Sequence, residues 1–222
     1  MTSLEAYNSF LLKLNRNDSN SNINVPKGKF VISYNEQAKR WLKQKLKRKL
    51  GTNELDELNY LLVDDLSLKS QGKHLDHFDF TLPDDFFDIS SCISIATRGN
   101  CTRTLDNWPT KDKNIRNLLR DANFKPSFDY EESLCTAVNN KLKVYFNDFK
   151  IKETYLTYYR EPISIDIEGY IKIDGSHSTN INPDLPDIAV NEIISRCVLE
   201  FQGISENAEG FQISKDRILT EE

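Results

Sequence analysis

Leu4, Tyr7, Leu11 and Leu14 recur at helical spacing behind Thr2-Ser3-Leu4-Glu5. That tetrapeptide has the S/T-x-x-E form of a capping box, so the pattern predicts a short amphipathic helix over residues 3–15. The next run, NRNDSNSNINVPKG, is rich in Asn and Ser, whose side chains compete for backbone hydrogen bonds, and it reads as a loop. Ser33-Tyr34-Asn35-Glu36 is a second capping box. Behind it Ala38, Trp41, Leu42, Leu46 and Leu50 form an i, i+3, i+4 stripe that stops at Gly51, a residue suited to a left-handed helix end. Leu55, Leu58, Leu61 and Leu62 suggest a third, shorter helix after a tight turn.

From residue 66 the period falls to two. Phe78, Phe80 and Leu82 alternate with Asp79 and Thr81, and Leu142, Val144 and Phe146 with Lys143 and Tyr145. Thr154 to Tyr159 and Ile163 to Ile173 are β-branched and aromatic, which also predicts strand. Between these runs, KDKNIRNLLRDANF at 111–124 reads as a polar connector with a helical turn, and Asn139-Asn140 as a hairpin turn. Helix returns at the end, where Pro186 and an acidic Asp184 or Asp187 suit a first turn. Ile188, Val190, Ile193, Ile194, Cys197, Val198 and Phe201 then give a broad apolar face before Gly203.

The order helix, helix, sheet, helix predicts an α+β protein in which N- and C-terminal helices form a helical layer and the middle forms an inserted antiparallel β lobe. The expected boundaries are 1–65 with 183–203 for the helical domain and 66–182 for the lobe, followed by a polar C-terminal arm at 204–222. The arm and the Asn/Ser-rich segment bury little surface alone and read as parts that order on a neighbour.

Charge adds an asymmetry to this picture. NEQAKRWLKQKLKRKL, residues 35–50, holds seven basic side chains and one acidic one, a net of +6 in a chain whose total is −5, so the rest carries −11. An acidic chain is poorly suited to broad phosphate neutralisation, which argues against sequence-independent nucleic-acid binding as the main role. Lys39, Arg40, Lys43, Lys47 and Arg48 on this helix are the candidate subunit-interface or DNA-facing residues. Cys92, Cys101, Cys135 and Cys197 are widely spaced without a C-x-x-C pair, which fits a reducing cytoplasm and no zinc knuckle. Neither a basic leader nor an apolar run of membrane-spanning length is written in the chain, so no membrane association is expected.

Candidate chemistry is sparse. His74-Leu-Asp-His77-Phe-Asp79 has metal-ligand residue types, but on a strand positions three apart face opposite sides, so His74 and His77 are expected to diverge and no metal site is expected. Asp84, Asp85 and Asp88, and the trio Asp166, Glu168 and Asp174, are carboxylates of the kind a glycosidase pairs. They read better as a turn after Pro83 and as a solvated strand face. The chain holds no G-x-S-x-G and no G-x-x-x-x-G-K; Gly72-Lys73 is too little for a phosphate loop, and three histidines narrow the acid–base options. No enzyme activity, catalytic residue, cofactor or cofactor-binding residue is expected. A hydrolase using Asp84, Asp85, Asp166 or Glu168 stands as a competing reading.

Three stretches, FVISYNEQAKRWLKQKL, YLTYYREPISIDIEGYIKIDG at 155–175 and NPDLPDIAVNEIISRC at 182–197, together resemble the head–tail connector, or adaptor ring, proteins of short-tailed bacteriophages. They are most like the ring proteins of crAss-like phages of gut bacteria. The resemblance implies that Tyr158-Tyr159-Arg160-Glu161-Pro162 is a strand leaving the β lobe, and that Pro183 to Asp187 opens the returning helix. It also implies a virion location and a homo-oligomeric ring of about twelve copies. That ring would lie between the portal protein and neighbouring tail or ring proteins, and genomic DNA would pass through its lumen without sequence-specific binding. A closed ring needs one face of a subunit to fit a different face of the next, which the charge asymmetry suits. The alternative is a nucleic-acid-binding module built on helix 35–50.

Overall fold

The computed structural model describes residues 1–15, 23–47 and 58–204. Among these are four α-helices, α1 (Ser3–Asn15), α2 (Lys27–Lys47), α3 (Asp112–Arg120) and α4 (Asp187–Ile204). Eight strands form one sheet: β1 (Leu62–Leu68), β2 (Ser70–Lys73), β3 (His77–Thr81), β4 (Phe86–Arg98), β5 (Cys101–Pro109), β6 (Glu132–Val138), β7 (Lys141–Tyr145) and β8 (Lys150–Arg160). The protein is α+β, and its sheet is curled and mostly antiparallel. Packing divides it into a helical unit, Met1–Leu61 with Pro162–Glu222, and a β unit, Leu62–Glu161.

In the helical unit α4 packs on both α1 and α2. The reciprocal capping box forms at the first helix: Thr2 N–H donates to Glu5 Oε2 at 2.8 Å and Glu5 N–H to Thr2 Oγ1 at 3.2 Å. Helix α2 starts earlier than its sequence predicts. The amides of Lys29 and Phe30 bond to the Pro26 carbonyl, because proline fixes φ and lacks the N–H that a first turn leaves unpaired. Ser33 is therefore inside the helix, not at its cap, and its hydroxyl donates to Glu200 Oε2 at 2.6 Å. The longer helix adds Phe30, Val31 and Tyr34 to the buried stripe of Ala38, Trp41 and Leu42. Phe30 joins the helices, with ring centroids 4.9 Å from Phe10 and 5.5 Å from Tyr7; Phe10 in turn lies 5.3 Å from Phe201 of α4. Leu50, Gly51 and Leu55, with the expected helix end and turn, lie outside the described residues.

A buried polar contact fixes α2 on α4. Trp41, fully buried, donates its indole N–H to Glu192 Oε2 at 2.8 Å. Lys45 and Arg196 lie 3.3 and 2.8 Å from the same carboxylate. Burial works against the charge on Glu192, but Trp41, Lys45 and Arg196 outweigh it and hold its pKa below the ordinary glutamate value.

The sheet order is β1-β8-β4-β5-β6-β7-β3-β2. Every pairing is antiparallel except β5 with β6, which runs parallel from Asp106–Glu132 to Pro109–Cys135. A parallel neighbour needs a crossover, and α3 lies in it, with Ile115 buried beside Leu134 and Tyr145. Leu68 of β1 and Phe80 of β3 come from near opposite edges of the sheet yet share one core with Leu105, Leu142 and Leu156, so the sheet curls around its apolar face. The β6–β7 hairpin turns through Asn139 and Asn140, whose φ values of 51° and 58° are what a two-residue turn with matching twist requires. Leu62, expected to end a helix, instead starts β1.

Residues 162–182 are part of the helical unit and are not the strand that the run Ile163 to Ile173 predicts. Their β pairing is limited to the bridges Asp166–Ile181 and Ile171–His177. The backbone bends because it wraps a buried carboxylate: Asp166 Oδ1 accepts from Ile167 N–H at 2.9 Å and Tyr170 OH at 2.8 Å, and Oδ2 from Thr179 N–H at 2.9 Å. Gly169 and Gly175, at φ of 107° and 81°, make the turns that close this wrap.

Candidate functional site

Helix α2 presents two unlike faces. While its apolar stripe is buried, Lys39, Arg40, Lys43 and Lys47 are all exposed, spaced so that Lys39, Lys43 and Lys47 form one row along the helix. Arg40 lies 3.6 Å from Glu36 one turn back, a weak exposed pair. Arg48 lies outside the described residues. Lys45, in the same basic run, is held instead by Glu192 and belongs to the packing.

At the start of the same helix a groove of about 900 Å³ opens in the helical unit between the first turns of α2 and the wrapped segment 164–181. Its walls are aliphatic: Ile32 is 51% exposed, Ile171 69% and Ile173 96%. Lys27 donates to the Glu168 carbonyl at 2.9 Å along one edge. The Tyr170 ring packs so closely on Gly28 that an added Cβ would stand 3.1 Å from it, so the glycine lets the segment approach the helix. Asn35 ties the other edge, its amide bonding the Ile165 carbonyl at 3.1 Å and its carbonyl accepting from Ile165 N–H at 2.9 Å. Sequence reasoning missed this groove because it took 163–173 for a strand; the alternating isoleucines were its only signal.

The candidate carboxylates are divided between the two units. Asp84 and Asp85 belong to the β unit, where Asp85 accepts from Tyr158 OH at 2.9 Å, while Asp166 and Glu168 belong to the helical unit. Burial favours the neutral form of Asp166, but Lys172 at 2.8 Å, the Thr179 amide, the Tyr170 hydroxyl and the Ile167 amide outweigh it and bring its pKa down to about 2. With its lone pairs taken up by bonds that shape the backbone, Asp166 is a structural anion. Glu168 Oε2 accepts from Asn180 Nδ2 at 3.2 Å, and the Glu168 backbone N–H donates to Asn180 Oδ1 at 2.9 Å.

The histidines depart from expectation. His74 is not on a strand: β2 ends at Lys73 and β3 begins at His77, so the alternation that would separate the rings does not run through the intervening turn. The two imidazoles stack with centroids 4.6 Å apart and planes 16° from parallel, and both reach Asp79. Asp79, which alternates with Phe78 and Phe80 in the sequence, is buried under the imidazoles.

No helix among the described residues is long and apolar enough to cross a membrane. Comparison with models of known protein families finds none that matches the chain, and comparison with curated proteins finds no match.

Proposed function

We propose that this protein is a structural subunit of a virion's head-to-tail connector, one of about twelve copies in a ring between portal protein and tail around the channel through which genomic DNA leaves. The observation that carries this reading is the aliphatic groove beside α2. Isoleucines exposed together in a polar chain mark a surface that another protein covers. The basic row Lys39, Arg40, Lys43 and Lys47 lies farther along the same helix, in a chain whose remainder is acidic, so a neighbouring copy offers the opposite charge. Such complementarity steers association and fixes register more than it adds affinity. A ring subunit of this kind has no chemistry of its own and needs no cofactor.

Mass measurement of the purified chain, alone and on its portal ring, tests the proposal together with proteomics of purified particles. The expected result is a high-order oligomer that Ile173→Asp disperses, while the far-ultraviolet circular dichroism of the variant is unchanged. A chain that stays monomeric under both conditions and is absent from particles refutes the proposal.

The exposed basic row also supports a second reading, a nucleic-acid-binding module. On that reading the affinity for duplex DNA falls steeply with salt, and charge reversal of Lys39, Arg40, Lys43 and Lys47 abolishes it. Equal retention of the reversed variant on DNA ends that reading.

A further inference from the structure

The turn between β2 and β3 gathers donor atoms in a way that neither the core nor the groove uses. His74, His77 and Asp79 each bring a ligand-type atom to one place, all within 4.8 Å of one another. His77 Nε2 lies 3.3 Å from Asp79 Oδ1, and His74 Nε2 lies 3.4 Å from Asp79 Oδ2. Ligands about 2.1 Å from a tetrahedral zinc ion stand about 3.4 Å from each other, so each of the two nitrogen–oxygen separations suits neighbouring corners of such a shell.

Two further features prepare the site. The other nitrogen of His77, Nδ1, is 2.6 Å from Asp76 Oδ1. A carboxylate in that position accepts a hydrogen bond from Nδ1–H and leaves the Nε2 lone pair on the side of Asp79, the arrangement that orients metal-binding histidines. Asp79, nine-tenths buried, has an Oδ1 that accepts no hydrogen bond among the described residues although His77 Nε2 is close. A buried carboxylate oxygen left so is costly unless a cation meets it.

We infer that His74 Nε2, His77 Nε2 and the Asp79 carboxylate form a binding site for a late first-row divalent cation of the Zn²⁺ class, with Asp76 as the residue that orients His77. Two imidazoles and a carboxylate select such an ion over Mg²⁺ or Ca²⁺, which favour all-oxygen shells. His74 is half-exposed, so the fourth position opens to solvent and is filled by water. Lys141 Nζ, 3.3 Å from Asp79 Oδ2, is the cation now neutralising the carboxylate, and its half-exposed side chain is free to swing outward when the metal enters. The consequence is mechanical. Strand β2 is an edge of only four residues, paired with β3 alone, and the turn is otherwise closed by the His74 amide on the His77 carbonyl and by the Phe146 amide on the Asp76 carbonyl. A bound ion ties that edge hairpin shut.

Calorimetric titration of the metal-stripped full chain with ZnCl₂ and with MgCl₂ tests the inference, with Co²⁺ absorption as a readout of coordination number. The expected result is a single Zn²⁺ per chain, no response to Mg²⁺, and the visible bands of a four-coordinate Co²⁺. Asp76→Asn weakens Zn²⁺ binding by about 10- to 100-fold, and His74→Ala and His77→Ala weaken it by more than that. Lys141→Met tightens it, because a competing positive charge is gone; a purely structural cluster would lose by the same change. His74 lies half-exposed in a turn, so its variant keeps the fold, which circular dichroism verifies. Absence of Zn²⁺ binding by the unaltered chain, or equal binding by the folded His74→Ala and His77→Ala variants, overturns the inference.

Discussion

Replacing Asp166 by Asn removes one charge while leaving shape and volume almost unchanged, and it attacks the anion around which residues 162–182 are folded. A carboxyl whose pKa is about 2 in the folded chain against 3.8 in the unfolded one contributes about 2.5 kcal/mol above pH 4. The substitution does more than delete that contribution. Asn offers one acceptor oxygen and one amide donor, so its NH₂ must face either Ile167 N–H and Tyr170 OH or Thr179 N–H and the Lys172 ammonium. Donor then meets donor, and a buried unpaired donor costs about 1–3 kcal/mol. The expected loss is about 3.5–5.5 kcal/mol at neutral pH. Because the folded pKa is depressed, the charge-dependent part is fully present above the unfolded pKa and is lost as pH falls through the folded one. The gap between Asp166 and the variant therefore narrows as pH drops from 4 toward 2. Urea unfolding followed by Trp41 fluorescence in a Trp108→Phe background reads the helical unit alone, since Trp108 belongs to the β unit. A gap that is the same at about pH 7 and about pH 2.5, or one below about 0.5 kcal/mol at neutrality, refutes the reasoning.

Trp41→Phe keeps most of the buried ring but deletes the donor to Glu192; it is expected to cost about 1.5–3 kcal/mol in urea unfolding, and Trp41→Ala about 3–5 kcal/mol. Because the Glu192 pKa is lowered, that stabilisation is present above the ordinary glutamate range and fades as pH falls below it, so the cost of Trp41→Phe also shrinks in acid. At the β6–β7 turn, Asn140→Gly is expected to raise the midpoint of thermal unfolding slightly, while Asn140→Val lowers stability by about 1–2 kcal/mol because a β-branched residue must adopt φ of 58°. A thiol reagent at neutral pH should label Cys101, which is exposed, and reach Cys92, Cys135 and Cys197 only on unfolding; burial pushes the Cys197 thiol up to about 12.

Local chemistry explains what could be read in advance. The first capping box, the α3 turn, the Asn139-Asn140 hairpin and the apolar face of α4 from Val190 onward are each fixed by residues within a few positions and form where the sequence predicts; Ile188, expected on that face, is instead 71% exposed. The second capping box failed for a nearby reason, since Pro26 offers an earlier helix start and Ser33 then finds a partner on α4. The run 163–173 failed for a distant one. Its β propensity is real, but Asp166 gathers bonds from Tyr170 and Thr179 that no strand would allow, and propensity yields to a buried charge that must be satisfied. The basic row was legible because exposure of Lys and Arg opposite an apolar stripe follows from helical period alone. Convergence of His74 and His77 was not, because it depends on where β2 stops.

The β unit begins at Leu62 and ends at Glu161, and Leu62 lies directly opposite Tyr159 in the β1–β8 pair. Its way in and its way out are thus neighbouring strands, about 5 Å apart. A lobe joined to the chain through so narrow a doorway can lengthen, shrink or be exchanged for another without prying the helices of the other unit apart, since the closure it imposes on the chain is the same whatever its size. Evolution, or an engineer, is therefore free to refit the lobe to a new neighbour while α1, α2 and α4 keep their own packing.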